Sequence, residues 1–196
     1  FAHKFAPRLA TTRVVKIDAQ VGRTGAVTPV ANLEPVELAG VTVRNASLHN
    51  WGLLAERDVR EGDVVEIQRA GDVIPEVVRV FTDRRDANSK PATPPTKCPA
   101  CGADLHTEGK FVYCSDIDCK AQLIGRVVHL ASRRSFDIEG LGPKQVEQLA
   151  AAGIVTKVED VFALRDRHDD VLALDRWGER SYTNLIEQIE RCKTPT

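Results

Sequence analysis

The chain has no methionine, few aromatic side chains (5%), and no apolar run approaching the ~18 residues that cross a bilayer. A membrane-spanning helix is excluded, and any core must be built mostly from aliphatic side chains. Phe1 to Ala10 lack the charged-then-apolar order of a secretory signal, so a cytoplasmic location is expected. With no initiator methionine, and with an end at Lys193 to Thr196 directly after a helical pattern, the chain is expected to be a piece of a longer protein. Net charge is only −1 over 196 residues, which excludes a highly basic, histone-like binder. The average hides segments of opposite sign: residues 1–30 carry +4 and residues 93–135 carry +2, against −3 in 31–92 and −4 in 136–196. Five cysteines, an odd number in a chain without a signal, argue against a disulfide framework.

What is present falls into blocks. Residues 11 to about 81 read as β structure. Val15, Ile17, Ala19 and Val21 alternate with Lys16, Asp18 and Gln20, the period of a strand with one buried face. Gly22 to Gly25 is a turn, Ala26 to Leu33 a second strand, and Val41 to Val43 opens a third. Trp51 to Arg57 suits a short helix. Val64 to Arg69 and Val73 to Phe81 supply two further strands. Five short strands and one helix are the count of a small closed barrel, the OB type among others, and a sandwich fits nearly as well. Thr82 to Thr96 lose all periodicity and contain three prolines, the character of a linker.

Cys98 and Cys101, then Cys114 and Cys119, form C-x2-C and C-x4-C pairs twelve residues apart. Each pair can present two thiolates from one tight turn, and Gly102 suits such a turn. Two disulfides or an iron–sulfur cluster would use the same residues. A closed set of four soft ligands points to one structural zinc, with no open position for a catalytic water. In so short a segment the metal would supply most of the folding free energy.

From Gln122 onward the period becomes helical. Leu123, Val127, Leu130 and Ala131 share a face, and helices are expected at Pro143 to Ala151, Val158 to Leu164 and Glu179 to Cys192. Phe136 to Lys144 join two of them through a hairpin carrying Gly140 and Gly142. Leu174 to Ser181, with Gly178, is a weaker second copy. Such hairpins can simply pack helices together. They also leave backbone N–H groups at a helix N-terminus, where the dipole favours an anion such as a nucleic-acid phosphate. Lys16-Ile17-Asp18-Ala19 comes close to the Lys-x-Asp-Gly nucleophile motif of nucleotidyl transferases, but it lacks the glycine and lies inside a strand.

In this order the blocks resemble the bacterial NAD-dependent DNA ligases. The resemblance rests on Ala2-His3-Lys4-Phe5; on Gln20-Val21-Gly22-Arg23-Thr24-Gly25 and Thr28-Pro29-Val30-Ala31; and on Gly40-Val41-Thr42-Val43 and Asn45-Ala46-Ser47-Leu48-His49-Asn50. Arg69-Ala70-Gly71-Asp72-Val73-Ile74-Pro75, the four cysteines, Ser132-Arg133-Arg134 and Asp137-Ile138-Glu139-Gly140-Leu141-Gly142 complete it. It implies a multidomain chain: residues 1–9 as the tail of an adenylation domain, 10–82 an OB-fold domain, and 83–96 a linker. A four-cysteine zinc finger over 97–121 and a truncated helix-hairpin-helix domain over 122–196 follow.

The resemblance also implies the chemistry. A lysine outside this chain attacks NAD and becomes adenylylated, AMP passes to the 5′-phosphate of a nick, and the 3′-hydroxyl displaces it, with magnesium as the family's metal. Lys4 matches a lysine that contacts the adenylate phosphates. Arg23 and Arg69 match arginines that grip DNA, and Val73 and Ile74 an apolar pair against the minor groove. Cys98, Cys101, Cys114 and Cys119 match the zinc ligands, and Gly140, Gly142 and Gly178 the hairpin glycines. The chain is expected to be a monomer that binds nicked duplex DNA, with no nucleophilic lysine and no sealing activity of its own. The alternative is a non-catalytic zinc-bearing OB adaptor that contacts single strands or a protein. Single-strand readers carry stacking aromatics on the barrel, and these are scarce in residues 11–81.

Overall fold

The computed structural model describes residues 8–69 and 75–193, and these divide into two compact units. The first comprises residues up to 21 and 25–115. It holds β1 (Arg8–Val21), β2 (Ala26–Leu38), β3 (Val41–Ser47), α1 (Trp51–Arg57), β4 (Val64–Arg69) and β5 (Glu76–Val80), then β6 (Leu105–Glu108) and β7 (Phe111–Cys114). The strand order β1-β4-β5-β3-β2 closes on itself because β1 also pairs with β2, giving a five-stranded OB-like barrel and ruling out the sandwich. β3 and β5 run parallel where Ser47 meets Glu76; the other barrel pairs are antiparallel.

The barrel is filled by the aliphatic side chains its composition requires. Val14, Val27, Ala31, Val65, Ile67 and Val77 are almost completely shielded from solvent. The alternation in β1 does not run straight through. Val15, expected inside, is 58% exposed, while Val14 and Thr12 point inward. A β-bulge between Val14 and Lys16 is the cause: one extra residue resets the phase, so that Ile17, Ala19 and Val21 return toward the core.

Asn50 caps α1 by accepting the Leu53 N–H at 2.8 Å, and the buried Trp51 indole donates to the Val27 carbonyl at 2.9 Å. Beyond the barrel, Ala26 and Val27 of β2 pair with Tyr113 and Val112, so the β6–β7 hairpin extends the same sheet. The hairpin tip is also held to α1. Lys110 accepts the Gly52 N–H at 3.1 Å through its carbonyl and pairs with Glu56 through Nζ.

The segment after β5 is not a free tether. A single 3-10 turn (Thr82–Arg84) leads to Arg85, whose guanidinium donates to both carboxylate oxygens of the fully buried Asp63 at 2.8 and 2.9 Å and reaches Asp58 as well. Arg60 adds bonds to Asp58 and to the Ser89 carbonyl.

The second unit comprises residues 22–24 and those from 116 onward. Its helices are α2 (Lys120–Ala131), α3 (Pro143–Ala151), α4 (His168–Leu172) and α5 (Glu179–Lys193). Val127, Leu149, Val161, Leu164, Leu185 and Ile189 form the centre of one continuous core. Val158–Arg167, expected as an α-helix over its first part, winds as a 3-10 helix instead. Val158, Val161 and Leu164 recur every three residues, and three residues per turn places all of them toward the core.

Candidate metal centre and nucleic-acid interface

The four clustered cysteines converge. The sulfurs of Cys98, Cys101, Cys114 and Cys119 all lie within 4.8 Å of one another, and three of the four residues are buried. Cys98 starts a tight turn in which its carbonyl accepts the Gly102 N–H at 2.8 Å. Gly102 has φ of +76°, a backbone state that costs glycine little. Cys114 ends β7, its N–H bonded to the Gly25 carbonyl, and Cys119 directly precedes α2. Burial works against a charged Cys98. Hydrogen bonds from the Ala100 and Cys101 backbone, and from the thiols of Cys101 and Cys114, outweigh it and bring the Cys98 pKa down to about 7. Four cysteine sulfurs gathered in one place, with no ammonium or guanidinium among the donors, suit a cation. The set is compatible with a structural zinc ion, for which four thiolates are a complete tetrahedral shell.

Arg23 is exposed in the turn between β1 and β2. Arg69, half-buried at the end of β4, stands across from Arg8 in the β1–β4 register. Arg8 lies earlier than the alternation starting at Arg13 suggests, so nothing in the sequence pattern drew attention to it. The two arginines are therefore Cα partners on neighbouring strands. Lys4, Val73 and Ile74 lie outside the described residues.

In the helical unit both glycine hairpins border one groove of about 890 Å³. Gly140, at φ +88°, makes the first turn, and Gly142 precedes α3, its carbonyl accepting the first helical bond from Val146. Gly178 plays the same part before α5, accepting from Tyr182 N–H at 3.0 Å. Lys144 and Arg176 line the groove, but so do Glu139, Glu147, Asp175 and Glu187. With carboxylates outnumbering cations, an anion held here must be taken largely by backbone N–H groups at the starts of α3 and α5. Gln188 Oε1 also borders the groove and, among the described residues, is buried without a hydrogen-bond partner. Among the described residues, no helix is long and apolar enough to cross a membrane.

Sequence reasoning missed the Arg85–Asp63 pair and the hydrogen bonds by which Gln148 meets the Asp175 carbonyl and the Trp177 indole. The only hint of the first was the charge run Asp83 to Asp86, which reads as solvated. A lone glutamine on a helix gives no hint at all.

Residues 11–89 match the family described as the NAD-dependent DNA ligase OB-fold domain. The chain is 48% identical over 194 residues, 98% of its length, to a DNA ligase of Desulfosudis oleivorans. It is 47% identical over its whole length to a DNA ligase of Myxococcus xanthus, and 43% over 98% of its length to that of Acetivibrio thermocellus. It spans only 28% to 29% of the length of these relatives.

Proposed function

We propose that the chain is the DNA-gripping portion of an NAD-dependent DNA ligase, since residues 11–89 match that family's OB-fold domain and almost the whole chain aligns with DNA ligases. The observation that carries this is the extent of the similarity, which covers 98% to 100% of the chain, from the barrel to the helical unit.

In this reading the barrel, the zinc module and the helical unit hold nicked duplex DNA, while NAD and magnesium serve an adenylation domain with the nucleophilic lysine. Lys4 would meet the adenylate phosphates, and its point charge suits negative charge developing on phosphorus. Arg23 and Arg69, with Arg8 beside the latter, contact backbone phosphates, and Val73 and Ile74 lie against the minor groove. The starts of α3 and α5, after Gly140, Gly142 and Gly178, take phosphates through N–H groups. Such contacts position the duplex and carry no base information, so binding is independent of sequence. Cys98, Cys101, Cys114 and Cys119 hold one zinc ion, which supplies no chemistry to sealing. It fixes the β6–β7 hairpin, which is itself part of the barrel sheet. The chain works as a monomer in the cytoplasm and does not seal nicks alone.

Fluorescence anisotropy with a nicked duplex and a matching single strand tests this. The nicked duplex is expected to bind more tightly at low salt. No duplex binding would refute the reading, and a marked preference for the single strand would favour the adaptor alternative.

A further inference from the structure

We propose that Gln148 is a positioning residue that ties the second glycine hairpin to the first, setting the spacing at which the two can hold phosphates of one duplex. The proposal rests on the DNA-binding reading above.

Gln148 sits in α3, six residues after Gly142 and so roughly 9 Å along the helix axis from it. Being within one helix, it is rigidly fixed to the first hairpin. Its side chain reaches the second hairpin with both ends of its amide. Nε2 donates to the Asp175 carbonyl and Oε1 accepts from the Trp177 indole Nε1, each at 3.1 Å. The two partners flank Arg176, whose φ of +63° is a left-handed conformation that disfavours a side chain bearing Cβ. Trp177 is followed directly by Gly178, which starts α5. The amide therefore grips the turn that delivers the α5 N-terminus, at a point that would otherwise relax.

No other common side chain of this reach does the same. Glutamate has no donor for the Asp175 carbonyl, and lysine has no acceptor for the indole. Methionine fills the volume with neither. The hydrophobic core already holds α3 and α5 through Val146, Leu149, Leu185 and Ile189, so the bridge is not needed for the helices to fold. What it adds is register between the two hairpins.

The test compares Gln148→Met and Trp177→Phe with the parent chain. Nicked-duplex affinity is read by anisotropy at several salt concentrations, with melting temperature and helix content measured alongside. Each variant is expected to bind about five- to tenfold more weakly. The slope of log affinity against log salt should change little, since the contacts the bridge positions are made by uncharged N–H groups. Helix content should stay unchanged. Because both substitutions break one bridge, the double variant should bind little worse than either alone. Unchanged affinity in both variants, with the parent still binding, would overturn the bridge and leave the DNA-binding reading standing. Loss of affinity in proportion to lost helix content in both variants would overturn it too, showing Gln148 to be ordinary packing. A parent chain that binds no duplex would instead refute the reading beneath it.

Discussion

Substituting Gly178 by alanine separates a hairpin that binds phosphate from one that only packs. Gly178 is not in the left-handed region, and a Cβ built there meets nothing within 4 Å. The folded chain therefore accepts the methyl without strain. The remaining cost is a poorer helix start, about 0.5 kcal/mol, because alanine is a weaker cap than glycine. In a unit of this size that lowers the melting temperature by about 2–4 °C. DNA binding should respond very differently. The open space beside Gly178 is where a phosphate would approach the first N–H groups of α5, and a methyl there obstructs it. Losing that contact weakens nicked-duplex binding about tenfold, with little change in the salt slope because the N–H groups carry no full charge. Gly140→Ala is a poor substitute, since φ of +88° makes any side chain there cost about 1–2 kcal/mol whether or not DNA binds. Paired melting curves and anisotropy titrations at about 50 and 200 mM salt make the measurement. A Gly178→Ala protein with full affinity would refute phosphate binding at this hairpin.

Other expectations follow from the same structure. Freshly purified protein should contain about one zinc per chain by elemental analysis. Removing it should abolish hydrogen-exchange protection in β6 and β7 first, because a four-thiolate zinc contributes on the order of 10 kcal/mol to so small a segment. Arg85→Met strands the buried Asp63 carboxylate and should destabilise the barrel by about 3–5 kcal/mol in a denaturant titration, with Asp63→Asn in the same chain recovering part of the loss. Asp160 accepts the N–H groups of Thr156 and Lys157, which hold its carboxyl below the ordinary range. That contribution is complete above the unfolded pKa of about 3.9 and is lost as pH falls through the lower folded value. Asp160→Asn should flatten the acid limb of the melting profile, and an unchanged limb would contradict the assignment.

The parts legible in advance were those with short-range causes. The cysteine spacing announces a metal because two turns of a few residues each suffice to aim four sulfurs, and those sulfurs do converge. α1 and α3 run over the residues their patterns mark, since Asn50 and Pro143 are local start signals. Val15 was misplaced because a bulge depends on how β1 meets β2, which no single strand reveals. Residues 158–164 read as an ordinary helix because apolar residues at 158, 161 and 164 satisfy both helical periods; only the packing decides between them. Arg85 and Gln148 act through partners 22 and 27 residues away, respectively, and residue type alone does not name such partners. Arg8 gained meaning only when the register set it opposite Arg69.

The central claim is that this chain grips duplex DNA through backbone phosphates. A nicked-duplex titration of the zinc-loaded chain at about 50 and 200 mM salt tests it most directly. Two cationic phosphate contacts, from Arg23 and Arg69, predict a slope of about −1.8 and a roughly tenfold loss of affinity between the two conditions. Binding that is absent at the lower salt, or present but indifferent to salt, would contradict the claim.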